Sequence, residues 1–205
     1  MKVNRRLWED RRRRFYERML RDISTGYFDM EILPLVDMVF KLENAFPTSS
    51  CSGRIVILSG RIPWRRKDVK ILYKAHEPLD PKTVMNIISN APDENLWFMV
   101  QPPILHISCF NDNIASEILK IARSSGFKHS GIIAVTERGY HVEIRGNEVF
   151  TVPLRIGGID IYEQDKLALL VKEASRVLLE SKRRIERLEA GLKNLVEKQK
   201  EHQNR

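Results

Sequence analysis

The order of apolar and polar positions divides the chain into helical and extended segments. From Arg5 to Ile23, Leu7, Phe15, Met19 and Ile23 recur at helical spacing among arginines, which predicts an amphipathic helix with its arginines facing outward. A second helix is predicted from Met30 to Phe46. Ile32, Leu35, Val36, Val39 and Phe40 form its apolar stripe, and Pro34 falls in the first turn, where its missing N–H is tolerated. A Ser-rich loop then enters a strand from Ile55 to Ser59, and after Gly60 a second strand runs from Val69 to Tyr73. Asp80-Pro81 reads as an N-cap followed by a first helical residue, with Val84, Ile87 and Ile88 turned inward and Pro92 as the stop. Strands are predicted from Leu96 to Val100 and from Ile104 to Phe110, parted by Pro102-Pro103. A helix from Ile114 to Ser125 ends at Gly126, and three strands follow, Ile132 to Thr136, Tyr140 to Arg145 and Val149 to Leu154.

The C-terminal segment has a different pattern. Val171, Ala174, Leu178, Ser181, Ile185, Leu188, Leu192, Leu195 and Gln199 alternate in steps of three and four, the spacing of a long helix with one apolar seam. A coiled-coil dimer is one use of such a seam. Packing of its first half against a sheet, with a frayed charged end, is the more economical one, because the seam carries Ser181 and ends in Gln199. Lys182, Arg183, Arg184 and Arg187 are either solvated charges or an extension of a polyanion-binding surface.

The layout contains an echo. A helix, Phe46 and Ser52-Gly53-Arg54-Ile55 recur as a helix, Phe127 and Ser130-Gly131-Ile132-Ile133. This predicts a mixed α+β chain of two related β/α repeats, with the two Ser-Gly loops in equivalent places. The expected organisation is one domain over 1–205. It comprises a basic N-terminal helix over 1–26, repeat one over 27–101, repeat two over 102–158 and the long helix over 159–205.

Composition sharpens this picture. With 205 residues and 42% hydrophobic content, the chain can bury one respectable core. Lys and Arg number 35 against 27 acidic residues, a formal charge of +8, and the pI is near 9.6. Arg11-Arg12-Arg13-Arg14 and Arg65-Arg66-Lys67 concentrate that charge, which favours a nucleic-acid partner over mere solubility. There is no apolar run of membrane-spanning length and no secretory h-region, so the expectation is a cytoplasmic protein with no membrane partner. Cys51 and Cys109 offer neither a disulfide framework nor paired zinc spacing, and no metal is expected.

The richest chemistry lies in Ser49-Ser50-Cys51-Ser52-Gly53-Arg54. Small hydroxyls, a thiol, a glycine and an arginine crowd the mouth of the Ile55 strand, as in a loop that lets a polar ligand approach the backbone. An ordinary Ser/Gly turn is the structural alternative. The hexamer resembles the signature of the tRNA wybutosine-synthesizing protein 3 family, methyltransferases that modify a tricyclic guanine-derived base beside the anticodon of phenylalanine tRNA. Further segments follow in that family's order: Trp64-Arg65-Arg66-Lys67, His76, Pro103-Ile104-Leu105-His106-Ile107, Gly126-Phe127-Lys128-His129-Ser130-Gly131-Ile132 and Val152-Pro153-Leu154.

The resemblance implies a barrel-like sheet built from both repeats, helices outside, and S-adenosylmethionine as cofactor. The chain lacks the glycine-rich strand-to-helix turn of dinucleotide-binding sheets, since Gly60 stands alone and Gly157-Gly158 opens no such unit. It is therefore not a Rossmann methyltransferase. Expected cofactor contacts are Ser49, Ser50, Cys51, Ser52, Gly53, Arg54, His106, Ser130 and Gly131, with Arg54 suited to the methionyl carboxylate or to a tRNA phosphate. Catalytic candidates are His76, His106 and Ser50, the histidines because imidazole titrates near neutrality; His129 is a weaker third. Arg54, Trp64, Arg65, Arg66 and Lys67 are expected to meet the tRNA, although Trp64 is equally a candidate core residue. The Ser50–Arg54 and His129–Gly131 loops and the His106 strand are expected to line one site on a monomer. The alternatives are a non-catalytic basic RNA-binding protein, a hydrolase using Ser50 or Cys51, and a coiled-coil structural protein.

Overall fold

Most elements fall where apolar periodicity places them. The computed structural model describes residues 2–203, with the side chains of Arg66, His202 and Gln203 outside the described set. Helix α1 (Arg5–Ser24) is capped by Asn4, whose side chain accepts from the Leu7 N–H. Its inward residues are Trp8 and Met19, whereas Leu7 is 41% exposed. Trp8 packs edge-on against Phe46 at 5.0 Å and Phe110 at 5.7 Å, so the larger ring sets which face of the helix is buried. Arg12, one turn beyond Trp8, turns inward too. Its guanidinium donates to the carbonyls of Phe40, Leu42 and Glu43, where helix α2 (Leu33–Lys41) ends and leaves its last carbonyls without intrahelical partners. The expectation that the arginines of α1 all face outward therefore fails at Arg12.

Helix α2 stops five residues short of Phe46, and the segment expected as a Ser-rich loop is a strand, β1 (Ala45–Cys51). Pro47 and the serines are poor strand formers, but β1 lies at a sheet edge, where a residue without an N–H is tolerated. The remaining elements are β2 (Arg54–Ser59), β3 (Lys70–Ala75), α3 (Pro81–Asn90), β4 (Leu96–Gln101), β5 (Ile104–Cys109), α4 (Asp112–Ser124), β6 (Gly131–Thr136), β7 (Gly139–Arg145), β8 (Phe150–Ile156), the short β9 (Ile159–Asp160) and α5 (Gln164–Gln203).

The class is α+β with a long C-terminal helix, and the hydrogen-bonded ladders give two antiparallel sheets. The chain divides into two compact units. One takes the residues up to Ser52, Pro103–Asn147 and those from Lys182 onward; it holds the sheet ordered β1-β5-β7-β6. Leu105, Ile107, Val142 and Ile144 point into its core with Trp8, Phe46, Ile118, Phe127, Leu188 and Leu192, while alternate residues of the same strands face the other way. The other unit takes Gly53–Pro102 and Glu148–Ser181 and holds the sheet ordered β3-β2-β4-β8-β9. Its core joins Ile55, Ile57, Leu96, Phe98 and Leu154 to Val84 and Ile88 of α3 and to Leu167, Val171, Ala174 and Leu178 of α5. Arg155 does for α3 what Arg12 does for α2, donating to the carbonyls of Ile88, Ala91 and Asp93.

Two expectations change here. The Ser-Gly-led strands are not equivalent, because β2 is interior to its sheet and β6 is an edge strand. The seam of α5 is buried within the chain from Val171 through Leu195 and Val196, beyond the first half expected to pack, and Gln199 accepts from the Glu43 N–H.

Candidate functional site

Register brings part of the Ser49–Arg54 motif to the imidazole of His106. In the first unit Ser49 pairs with His106, His106 with Glu143, and Glu143 with Gly131, so these four residues form one row across β1, β5, β7 and β6. Ser49 Oγ lies 2.8 Å from His106 Nδ1, and His106 Nε2 lies 3.0 Å from Glu143 Oε2. The carboxylate can only accept, so it selects the tautomer with the proton on Nε2. Nδ1 is then left as an acceptor for the Ser49 hydroxyl. Thr48 Oγ1 donates to the His106 carbonyl at 3.3 Å and ties β1 to β5 beside the row.

The His106 and Glu143 side chains are 28% and 27% exposed, open enough for proton exchange yet shielded enough for charge to matter. At the far end of the row, a Cβ built on Gly131 would meet nothing within 4 Å, and the backbone there is in an ordinary region. The protein itself therefore does not require glycine at this position.

The other expected site residues divide into engaged and available groups. Ser50 pairs with Leu105, which places it on the sheet face opposite His106. Ser52 is fully buried, with its N–H donating to Asp29 Oδ2 at 2.7 Å and its hydroxyl to Glu31 Oε2 at 3.1 Å; Lys182 ion-pairs with the same Glu31. Ser130 is buried as well, its hydroxyl accepting from the Arg145 N–H. Both serines thus serve packing at this geometry. Gly53 takes φ +94° at the passage from the first unit to the second, a conformation that favours glycine. Its carbonyl lies 2.8 Å from His76 Nδ1, so one ring nitrogen of His76 holds backbone. Arg54 donates from Nε to Gln101 Oε1 at 2.6 Å, which orients the guanidinium and leaves its two terminal nitrogens for a carboxylate or phosphate.

Cys51 is half-buried, and Cys109 is buried with its thiol pushed up to about 12 by desolvation, which removes it from nucleophilic chemistry. Trp64 is 77% exposed, so it is not a core residue. Beside it Arg65 ion-pairs with Asp68 at 3.3 Å, Lys67 is exposed, and the Arg66 side chain lies outside the described residues. His129 is exposed. Glu143 had no motif to flag it, because only strand register aligns it with His106.

The chain is similar to known proteins over most of its length. A family model described as Methyltransferase TYW3 matches residues 10–194. A relative from Saccharolobus solfataricus named tRNA(Phe) 7-((3-amino-3-carboxypropyl)-4-demethylwyosine(37)-N(4))-methyltransferase is 34% identical over 180 residues, 87% of this chain and 86% of that protein. A protein of the same name from Thermococcus sibiricus is 34% identical over 173 residues, 84% of this chain and 88% of that protein. Among solved structures, PH1069 from Pyrococcus horikoshii superposes with a TM-score of 0.86 at 29% identity, covering 91% of this chain and 96% of that one.

Proposed function

Since the chain belongs to the TYW3 methyltransferase family, we propose that it methylates ring nitrogen N4 of the 4-demethylwyosine-type base in phenylalanine tRNA, with S-adenosylmethionine as donor. The observation that carries this reading is the family match over residues 10–194, joined by relatives at up to 34% identity that bear that activity as their name. Among the described residues no helix is long and apolar enough to cross a membrane.

S-adenosylmethionine supplies an electrophilic methyl group when bound. Arg54 fits it, since its terminal guanidinium nitrogens match a carboxylate. Ser52 fits it poorly, since it is buried and its hydroxyl already donates to Glu31.

Methylation of a ring N–H releases one proton, and the Ser49–His106–Glu143 row is built to take it. Ser49 Oγ accepts the substrate proton as its own passes to His106 Nδ1. The imidazolium that forms is stabilised by Glu143 at 3.0 Å. Exposed Trp64 offers a stacking face for a base, and Arg65 and Lys67 offer cations for the backbone.

The test is transfer of labelled methyl from S-adenosylmethionine to tRNA(Phe) bearing the demethylated base, read by mass spectrometry of the nucleosides. Absence of the N4-methyl product with folded protein would overturn the reading. The Ser–His–Glu order is also that of an acyl-transfer nucleophile, so an activated ester is tested alongside. Ester turnover abolished by Ser49→Ala, without methyl transfer, would favour a hydrolase.

A further inference from the structure

The turn between β6 and β7 is held with unusual firmness for an exposed hairpin. The Asn4 N–H donates to the Glu137 carbonyl at 2.8 Å, while Ser108 Oγ at 3.2 Å and Arg11 Nη1 at 3.3 Å both donate to the Arg138 carbonyl. Gly139 seats the turn against β5. Its φ is +128°, and a Cβ there would come within 2.6 Å of Ser108 Oγ and 2.8 Å of the Cys109 carbonyl. Arg138 is therefore displayed from a fixed backbone beside Arg11 of α1 and His141 of β7.

These three side chains share an electrostatic deficit. Among the described residues neither Arg11 nor Arg138 has a carboxylate partner, in contrast to Arg5, Arg13 and Arg18 of the same helix α1, which pair with Glu9, Asp10 and Asp22. Burial and then the Arg138 charge lower the pKa of Arg11. Burial, then Arg11 and Arg138, lower that of His141.

The polar groups around them are donor-rich as well. Thr136 Oγ1 accepts from the Arg138 N–H at 3.1 Å and lies 3.1 Å from His141 Nε2. If Nε2–H donates to the threonine, the threonine proton is left over; if the threonine donates to Nε2, Nδ1–H is left over. In either tautomer one donor remains, added to the unused N–H groups of two guanidiniums. Like charges gathered on a rigid frame, with surplus donors and no carboxylate partner among the described residues, are complementary to a tetrahedral anion.

His141 and Glu143 are two residues apart on one face of β7, which puts this cluster about 7 Å along the strand from the Ser49–His106–Glu143 row. We propose that Arg11, Arg138, His141 and Thr136 form a subsite for a backbone phosphodiester of the tRNA, anchoring the strand whose modified base reaches the His106 row. The proposal rests on the tRNA methyltransferase reading and adds a phosphate anchor to it.

The test is equilibrium binding of a tRNA(Phe) transcript across a salt series to the wild type, Arg138→Gln, Arg11→Gln and, as control, Arg13→Gln, whose residue is already ion-paired with Asp10. Arg138→Gln and Arg11→Gln are each expected to weaken binding about tenfold near 0.1 M salt and to reduce the slope of log K against log salt by about one, while Arg13→Gln leaves both near wild type. A second readout is the His141 ring resonance: added tRNA should shift its titration upward, since an anion facing His141, Arg11 and Arg138 favours the imidazolium. Wild-type affinity and slope in folded Arg138→Gln and Arg11→Gln, or equal losses in Arg13→Gln, would overturn the subsite while leaving the methyltransferase reading standing. A wild-type protein that neither binds nor methylates tRNA would remove both.

Discussion

Replacing Glu143 by glutamine isolates the electrostatic half of the proton relay, because the amide keeps the size and one oxygen of the carboxylate but removes its charge. The oxygen lies 3.0 Å from His106 Nε2, which places the charge centres about 4 Å apart; at that distance unit charges interact by about 1 kcal/mol in water and about 4 kcal/mol at a protein surface. With the two side chains 28% and 27% exposed, an intermediate cost of about 2 kcal/mol falls on the state carrying the imidazolium, a drop in kcat of about 30-fold. Folding should be nearly unaffected, since the amide still accepts from Nε2–H. The assay is single-turnover methyl transfer at saturating donor and tRNA, with thermal melting as the control for folding. Glu143→Asp should recover part of the rate and Ser49→Ala should also slow it. If folded Glu143→Gln stays within twofold of wild type, the His106 row does not carry the proton.

Other outcomes follow from contacts elsewhere. Arg12→Ala strips donors from three carbonyls at the end of α2, and with charge-assisted bonds at about 1.5–3 kcal/mol each and not additive, about 3 kcal/mol of stability should be lost in urea titration; a loss under about 1 kcal/mol would contradict the capping role. Trp64→Ala should leave melting unchanged and weaken tRNA binding by about 1–3 kcal/mol, without altering donor binding; unchanged tRNA affinity would exclude the ring from the interface. Gly131→Ala should be neutral or slightly stabilising, so any fall in turnover measures crowding of a ligand rather than of the fold.

Cys109 predicts an alkaline limit. Its thiol ionises near 9 when unfolded and at about 12 when folded, so between those values the folded state keeps a proton the unfolded state has lost. Stability should then fall by about 1.4 kcal/mol per pH unit above pH 9. Cys109→Ala should flatten that slope, and an identical slope in the variant would assign the limit to another group.

Local rules made most elements legible, because helix caps, proline stops and alternation act through near neighbours. Asp80-Pro81 marks the start of α3, and the three-four seam marks α5. The family was legible as well, through its resemblance in several separate segments that stand in the family's order, from Ser49–Arg54 to Val152-Pro153-Leu154. Where local preference misled, a distant partner had overruled it. Ala45–Cys51 is a strand only because β5 offers an edge to pair with, and Arg12 turns inward only because the carbonyls beyond α2 lie beneath it.

The same distinction applies to the site. His106 and Ser49 were visible as residue types, but that Ser49 rather than Thr48 stands opposite His106 depends on a register shift between Pro47 and Ser49. A one-residue change in register moves a side chain to the opposite face, and nothing within β1 itself records which face results. Glu143, Arg138 and His141 carry no local signature at all. They gain a role from strands and a turn that set glutamate beside histidine and cation beside cation, placements that depend on the packing of chain segments far apart in sequence.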